Sequence, residues 1–500
     1  MSEKSFVTSL FIVLLVVGLL PVFVMIIDSF FHLKSLDIFT SKTLQSFKNS
    51  LALSFAVATM TTIIGTMLGV LFSKTNFRYS KVYLILFIIP LLLPSFIIAL
   101  GWVDVVGVKS SWLFGFFGTL LVLFSVYLPI PILLSIFFLK QINSHFEEAA
   151  RLMTGEFGVL KGIVLPLIKP ALMLSFLLVF ILSFGEIGVA NVLRYEVFSL
   201  ESFTQFSAFY NSKSAMILAM PMVLVVALIV LLEKIYIKNS SFRYKSFNTA
   251  YKISLSSKMQ FFAFLSVSLL ALFVVILPLI SLFSEMGELK TALDKAWLPL
   301  QRSLIYSFLG ASLLMIFGFL YGYIIEKRLS FSSTLDMGIL FLFALPSTVM
   351  GISLILFFNT SLTEFIYTTP LIVLFGYFAK YLALTTKIAQ TKLSSIPTSM
   401  IEAAQMSGAN WLQRLLYILL PLSKKTLVAM FMVGFIFTLR ESSITQLVYP
   451  AGYETLPVYI LTQMANGKPE IIASLCLILV SVMMVPLFAL LYVGESHDRV

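Results

Sequence analysis

Apolar stretches long enough to cross a lipid bilayer dominate this chain of 500 residues. A transmembrane helix needs about 20 mostly apolar residues. Hydrophobic residues make up 59% of the chain and charged residues only 11%, whereas soluble domains carry about 25% charged residues. We therefore predict an all-α polytopic membrane protein with about twelve transmembrane helices. The predicted spans cover residues 6–30, 50–73, 82–102, 119–139, 169–190, 215–234, 259–283, 301–325, 337–358, 369–388, 424–445 and 471–493.

Two features of the sequence bear on how the chain enters the membrane. The first apolar stretch is long for a signal peptide and lacks a small-residue cleavage site, so we interpret it as a retained span. The net charge is +11, but the basic residues lie mainly in the segments between alternate spans. This distribution is typical of the cytoplasmic side of a membrane protein, not of a nucleic-acid surface. We expect both termini to be cytoplasmic.

The second half of the chain repeats the first at an offset of about 253 residues, which pairs Lys74 with Lys327. The repeat also pairs a Gly-x-x-x-Gly element in each half, and such elements let helices approach closely in lipid. The paired glycines are Gly65 and Gly69 in the first half and Gly318 and Gly322 in the second. We predict a six-span repeat over residues 1–234, a basic cytoplasmic linker over 235–258 and a second six-span repeat over 259–500.

A Glu-Ala-Ala segment follows the fourth span of each half. In the second half the segment and its sequel comprise Glu402, Ala403, Ala404, Gly408, Ile418, Leu420 and Pro421. In the first half they comprise Glu148, Ala149, Ala150, Gly155 and Pro166. Such a segment favours a short helix, the glycine ends it, and the proline suits the start of the next helix. We therefore predict a short helix pair suited to docking into a groove on a soluble partner.

These segments resemble the EAA motif of binding-protein-dependent ABC importer permeases. That motif is Glu-Ala-Ala, three residues, Gly, nine residues and Ile-x-Leu-Pro. The second copy fits it throughout. In the first copy Gly155 lies seven residues after Glu148 instead of six, and Pro166 lies eighteen residues after it instead of nineteen. The first copy therefore departs from the motif in the spacing of its glycine and its proline.

The resemblance covers nearly the whole chain and implies a fold like that of type I ABC importers. It implies that each EAA segment is a coupling helix seated on a separate ATPase, which would be present in two copies. The chain has no P-loop sequence, so we expect a permease that is not an enzyme and binds no cofactor, with ATP used by the partner. A periplasmic or lipid-anchored substrate-binding protein and membrane lipid are the other expected partners, in a bacterial cytoplasmic (inner) membrane, and no nucleic acid is expected.

Charged residues occur within two of the predicted spans. Glu186 lies twenty residues after Pro166, and Glu441 lies twenty residues after Pro421, so the two glutamates are equivalent in the repeat. Arg440 is the nearest basic residue in sequence. Intramembrane carboxylates usually face a bundle interior or a watery path. The three residues are therefore candidates for the pathway or its gate, and a structural ion pair or a group near the interface is the alternative.

The cargo is suggested only by resemblance. The segment 440–457 and the sequence Leu100-Gly-Trp102 are similar to fused ferric-iron permeases, so ferric iron is the first expectation. Permeases for thiamine, phosphonate or another small solute share the layout, no residue set here chemically demands iron, and no metal-ligand spacing is present. A different class, an ion-coupled secondary transporter with twelve spans, would predict buried acidic residues but no EAA segments.

Overall fold

The computed structural model describes residues 3–32, 40–142, 147–148, 154–155, 158–238 and 252–495. Over these residues the chain is helical and contains no strand, with one isolated bridge between Thr75 and Ile253. The prediction of an all-α protein is therefore confirmed. Much of the predicted linker, residues 239–251, lies outside the described part.

The helices of the first half are long and mostly apolar. They are α1 (Glu3–His32), α2 (Ser41–Lys74), α3 (Ser80–Leu92), α4 (Ser95–Val106), α5 (Phe116–Leu139), α6 (Leu160–Phe184), α7 (Gly188–Val192), α8 (Phe198–Ser207) and α9 (Ser212–Lys238). Side chains such as Phe55 and Leu228 are exposed on these helices. In a membrane protein such apolar exposure suits contact with lipid.

The helices of the second half follow the same order, with additional short helices. They are α10 (Ser257–Ser284), α11 (Leu289–Glu326), α12 (Ser332–Ala344), α13 (Ser347–Phe358), α14 (Glu364–Tyr367), α15 (Leu371–Ser394), α16 (Thr398–Met406), α17 (Trp411–Leu422), α18 (Lys424–Leu439), α19 (Ser443–Val448), α20 (Leu456–Asn466) and α21 (Pro469–Glu495). Among the described residues, 9 helices are long and apolar enough to cross a membrane, and three bent pairs raise the number to 12. The predicted number of spans is thus confirmed.

Two spans that the sequence predicted as continuous are sharply bent. The bend is 102° between α3 and α4 and 108° between α12 and α13. In each pair the break is a Leu-Pro step, at Leu93-Pro94 and at Leu345-Pro346. Leu93 and Leu345 have extended backbones, with ψ of 151° and 138°. A proline disfavours helical backbone in the residue before it, and this local restriction breaks both spans at equivalent places.

The helices pack into two compact units that do not coincide with the two sequence halves. One unit holds the described residues of 1–36, 202–226 and 287–500, and the other holds those of 37–201 and 227–286. Within the first unit α1 packs against α13, and within the second unit α10 packs against α4. The first span of each half therefore packs with the remaining spans of the other half. The repeat boundaries in the sequence remain a prediction, since packing units and repeats divide the chain differently.

Close helix contacts occur at the paired Gly-x-x-x-Gly elements, as predicted. A Cβ placed on Gly65 or Gly69 would lie 2.9 Å or 2.7 Å from atoms of α5. A Cβ placed on Gly318 or Gly322 would lie 2.2 Å or 2.7 Å from atoms of α15. Small residues let helix backbones approach in lipid, where packing replaces the hydrophobic driving force between helices. In both halves a Gly-x-x-x-Gly element thus lets the second span pack closely against the fourth.

Candidate functional site

The second EAA segment forms an exposed helix, α16, which a tight turn joins to α17. None of the residues of α16 is buried. The turn contains Gly408, whose φ is +85° and around which a Cβ would meet no atom within 4 Å. Only glycine adopts this left-handed backbone without strain, so Gly408 lets α16 end and the chain change direction.

Side-chain hydrogen bonds brace the turn between α16 and α17. The Asn410 side chain accepts from the Gln413 N–H at 2.9 Å, and the Gln413 side chain accepts from the Asn410 N–H at 2.9 Å. This reciprocal capping box satisfies two N–H groups at the start of α17. Across the turn, Arg414 Nη1 donates to Gln405 Oε1 at 2.6 Å. The helix pair is thus linked within itself.

Large apolar side chains are exposed on and beside this helix pair. Met406 is 90% exposed and Tyr417 is 77% exposed. Methionine and aromatic residues are enriched where proteins contact partners. Of the predicted coupling residues in this copy, Glu402, Ala403, Gly408 and Pro421 are exposed, and Ala404, Ile418 and Leu420 are half-buried.

The second copy joins its membrane span through a bend. Pro421 lies in the last turn of α17, and α18 begins at Lys424 after a bend of 77°. The hydroxyl of Ser423, at the bend, is buried. The proline therefore precedes the bend by two residues, whereas the sequence suggested that it begins the span.

The first EAA segment is described only in part. Glu148 is exposed, and Ala149 and Ala150 lie outside the described residues. Gly155 has a φ of +68°, and a Cβ on it would meet no atom within 4 Å. The shifted glycine of the first copy thus adopts the same left-handed backbone as Gly408. Pro166 is exposed in the continuous helix α6, so the first copy has no counterpart of the 77° bend.

Glu186 lies in a break after α6 rather than inside a helix. Its Oε1 accepts hydrogen bonds from the Ser95 hydroxyl at 2.7 Å and from the Gly188 N–H at 2.9 Å. Its Oε2 accepts from the Tyr127 hydroxyl at 3.3 Å. The predicted span over 169–190 was therefore too long, because α6 ends at Phe184 and the carboxylate caps the next helix, α7.

Glu441 occupies the equivalent break after α18. Its Oε1 accepts from the Ile444 N–H at 2.8 Å, which caps α19, and its Oε2 accepts from the Tyr381 hydroxyl. Glu441 is 6% exposed. The predicted span over 424–445 was likewise too long, since α18 ends at Leu439. The guanidinium of Arg440 lies 5.4 Å from the centre of the Phe437 ring.

The two glutamates share a local design that sequence reasoning found only in part. A tyrosine from the fourth span of each half, Tyr127 or Tyr381, donates to the carboxylate. These tyrosines pair in the repeat, and that pairing was the signal available in the sequence. Each carboxylate is thus stabilised locally, by the N–H group at the start of a short helix and by a tyrosine hydroxyl.

One half carries an additional buried cation beside its bent span. The Lys380 ammonium in α15 donates to the Leu345 carbonyl at the break between α12 and α13, and the lysine is 7% exposed. A cation at a helix C-terminus stabilises the orphan carbonyl groups there. The repeat places Val126 at the equivalent position of the first half. The role of Lys380 could not be identified from the sequence, because the Leu345 carbonyl lies 35 positions away in the chain and the contact depends on how the helices pack.

The described residues contain no group of three or more His, Cys, Asp or Glu side chains that could hold a metal ion. What the structure brings together instead is a set of hydrogen-bonded helix breaks and one fully described exposed helix pair.

Comparisons with known proteins agree with this arrangement. The family of binding-protein-dependent transport system inner membrane components matches residues 61–245 and 315–495. The chain is 25% identical over 492 residues to the ferric transport system permease protein FbpB of Actinobacillus pleuropneumoniae, covering 90% of this chain and 71% of that protein. It is 24% identical over 452 residues to the putative ferric transport system permease protein FbpB 1 of Haemophilus influenzae, covering 82% of this chain and 71% of that protein.

A shorter similarity involves a relative that is named for a different cargo. The spermidine/putrescine transport system permease protein PotC of Haemophilus influenzae is 27% identical over 208 residues, which cover 41% of this chain and 80% of that protein. The family match extends over more than half of the chain and occurs once in each half. The chain therefore belongs to the family of binding-protein-dependent transport system inner membrane components, with two copies of the family's domain fused in one polypeptide.

Proposed function

We propose that this chain is the membrane-spanning permease of an ATP-driven importer and that separate ATPase subunits dock on its two EAA segments. Two ATPase copies would engage one chain, one at each segment. The chain itself would hydrolyse no ATP and bind no cofactor. A periplasmic or lipid-anchored binding protein would deliver the cargo from the other side of the membrane.

The observation that carries this proposal is the exposed helix pair α16–α17. Its helix α16 has no buried residue, the pair exposes Met406 and Tyr417, and the hydrogen bond between Gln405 and Arg414 braces it. A rigid exposed helix with apolar anchors suits insertion into a groove of a partner. The pair leads through a single bend into α18, so movement of a docked partner has a short path to a span.

We place the two EAA segments and both termini on the cytoplasmic side. The excess of lysine and arginine in the segments on that side supports this orientation. In this arrangement α6 and α18 lead from the docking segments to the breaks that contain Glu186 and Glu441. We propose that these breaks, together with Arg440, line or gate the pathway near its outer end.

Ferric iron is the proposed cargo. Its support is the similarity over 82–90% of this chain to two permeases whose names specify ferric transport. Thiamine, a phosphonate or another small solute is the alternative cargo. In importers of this kind the binding protein provides much of the selection, and that protein is a separate chain.

The test of function is reconstitution with a candidate ABC ATPase and a candidate secreted binding protein from the same genome. Co-purification with the ATPase, and faster ATP hydrolysis when the loaded binding protein is added, are expected. Absence of both association and stimulation would reject the importer. Uptake of radioactive ferric iron, thiamine and 2-aminoethylphosphonate into the same proteoliposomes then identifies the cargo, and iron uptake no faster than in liposomes lacking the chain would reject the proposed cargo.

A further inference from the structure

A buried ion pair joins the first EAA segment to the end of α2. Lys74 Nζ and Glu147 Oε2 are 2.7 Å apart, and their side chains are 3% and 1% exposed. The two residues are 73 positions apart in the chain. Glu147 immediately precedes Glu148, the first residue of the EAA motif. The ion pair therefore joins α2 to the residue directly before the segment that is proposed to dock on an ATPase.

The environment of this pair argues against a contact kept for stability alone. Glu147 Oε1 is buried and has no hydrogen-bond partner among the described residues. Burial, with a smaller contribution from the Glu148 charge, raises the pKa of Glu147 although Lys74 acts to lower it. Buried ion pairs are often no more stable than apolar replacements, because desolvation offsets the attraction. An incompletely satisfied pair at this place therefore calls for another role.

The same end of α2 also holds the end of the segment that joins the two halves. The Ile253 N–H donates to the Lys74 carbonyl at 2.7 Å, and the Asn76 N–H donates to the Ile253 carbonyl at 3.2 Å. The Leu255 N–H donates to the Asn76 side chain at 2.9 Å. These contacts lie just before α10 begins. The end of α2 thus connects the first EAA segment, through Lys74, with the start of α10.

The second half lacks the corresponding acid. The repeat pairs Lys74 with Lys327, but it pairs Glu147 with Ile401. In the second segment Arg414 donates to Gln405 within the segment, and the centre of the Trp411 ring lies 4.9 Å from the centre of the Phe6 ring of α1. The two EAA segments are therefore braced in different ways, one by a buried ion pair to α2 and the other by internal hydrogen bonds and an aromatic contact with α1.

We propose that Lys74 and Glu147 are positioning residues that tie the first EAA segment to α2, so that this segment moves α2 and α10 together while the second segment acts through the bend before α18. The inference rests on the proposed ATPase docking. It assigns unequal mechanical roles to the two EAA segments. Neither residue touches cargo or nucleotide.

The test compares Glu147→Gln with the charge exchange Lys74→Glu/Glu147→Lys in the reconstituted transporter. The neutral variant keeps the side-chain shape but leaves Lys74 buried without its counter-charge. We expect the ATP consumed per cargo molecule to rise at least about fivefold, the lower end of typical coupling between sites. The charge exchange should return the ratio to within about twofold of wild type, because an opposite-charge contact is restored. The matched control Lys327→Gln should leave the ratio unchanged.

A second measurement on the permease alone separates failure of this inference from failure of the proposed function. Hydrogen–deuterium exchange of the peptide that contains Glu147 and Glu148 should accelerate in Glu147→Gln and recover in the charge exchange. Faster exchange in Glu147→Gln, combined with no ATPase association and no stimulated ATP hydrolysis, would support the link between the first EAA segment and α2 and reject the importer. An unchanged ATP-to-cargo ratio together with wild-type exchange would overturn this link. A lower yield or unfolding temperature with an unchanged ratio would also overturn it, since that result describes a purely structural pair.

Discussion

Replacing Gly318 by alanine tests whether the close contact between α11 and α15 is essential to the second half. A Cβ at this position would lie 2.2 Å from Thr385 Oγ1, 2.6 Å from Thr385 Cβ and 3.1 Å from the Thr385 carbonyl carbon. Non-bonded heavy atoms pack best at about 3.5–4.0 Å. The two helices would therefore have to separate by about 1 Å, because part of the obstruction is backbone that no rotamer change removes.

The expected free energy follows from two opposing effects. Overpacking a close contact costs about 1–3 kcal/mol. Alanine regains about 1 kcal/mol of helix propensity relative to glycine. The net effect of Gly318→Ala should be a loss of about 0–2 kcal/mol in the free energy of unfolding. Gly162→Ala is the matched control, because a Cβ on Gly162 would meet no atom within 4 Å, and it should be neutral or slightly stabilising.

Unfolding in mixed detergent micelles gives the measurement. Cys476 is the single cysteine and is fully buried, so its reaction with a fluorogenic thiol reagent reports unfolding. In the background Thr385→Gly most of the cost of Gly318→Ala should disappear, with a coupling of about 1–3 kcal/mol. The two nearest obstructing atoms, Oγ1 and Cβ of Thr385, are then gone, and only the backbone contact at 3.1 Å remains. If Gly318→Ala unfolds no earlier than wild type and shows no coupling to position 385, the close contact is not what holds these helices.

Three further outcomes are expected. Gly408→Trp should uncouple ATP hydrolysis from uptake. The control Gly452→Trp changes a glycine with a similar exposed backbone, at a φ of +78°, and should not uncouple them. Equal effects of the two variants would show that Gly408 has no specific role in docking. Glu441→Gln keeps an oxygen for the Ile444 N–H but loses the charge, so uptake should fall by more than about tenfold while the fold persists. Glu441→Ala should in addition lower the free energy of unfolding by about 1 kcal/mol, because the helix cap is lost. Uptake at the wild-type rate in the glutamine variant would exclude a role for the charge. Burial and the Glu148 charge raise the pKa of Glu147 above 4.5, although Lys74 acts to lower it. The folded state therefore holds this proton more tightly than the unfolded chain, and the free energy of unfolding should fall as pH rises from 4.5 through the folded pKa. This pH dependence should vanish in Glu147→Gln. A pH dependence unchanged in that variant would assign the titration to another group.

The helix breaks illustrate what a hydropathy pattern leaves out. The stretches 82–102 and 337–358 were predicted as single spans, and each bends by more than 100° at a Leu-Pro step. Hydropathy averages over about 19 residues, so it reports that a stretch is apolar but not that it turns. The paired prolines were visible as part of the repeat. Reading them as breaks required the restriction that proline places on the preceding residue.

For the two glutamates, too, the sequence identified the residues but not their contacts. Equal spacing from Pro166 and Pro421 identified Glu186 and Glu441 as a pair, and the structure gives both the same capping task. Their tyrosine donors come from another helix, 59 and 60 positions away in the chain. Contacts at such separation depend on how spans pack, which no local pattern specifies.

By itself, the sequence determined the membrane environment, the number of spans, the duplication and the EAA segments, because each of these is carried by local composition or by spacing along the chain. Only the tertiary structure decided that the first span of each half packs with the other half's spans, that the glutamates cap helices at breaks, and that Lys74 meets Glu147. These features join residues far apart in sequence, and their energies arise from close packing and burial. The duplicated EAA segments, nearly alike as sequence, are therefore braced differently in three dimensions.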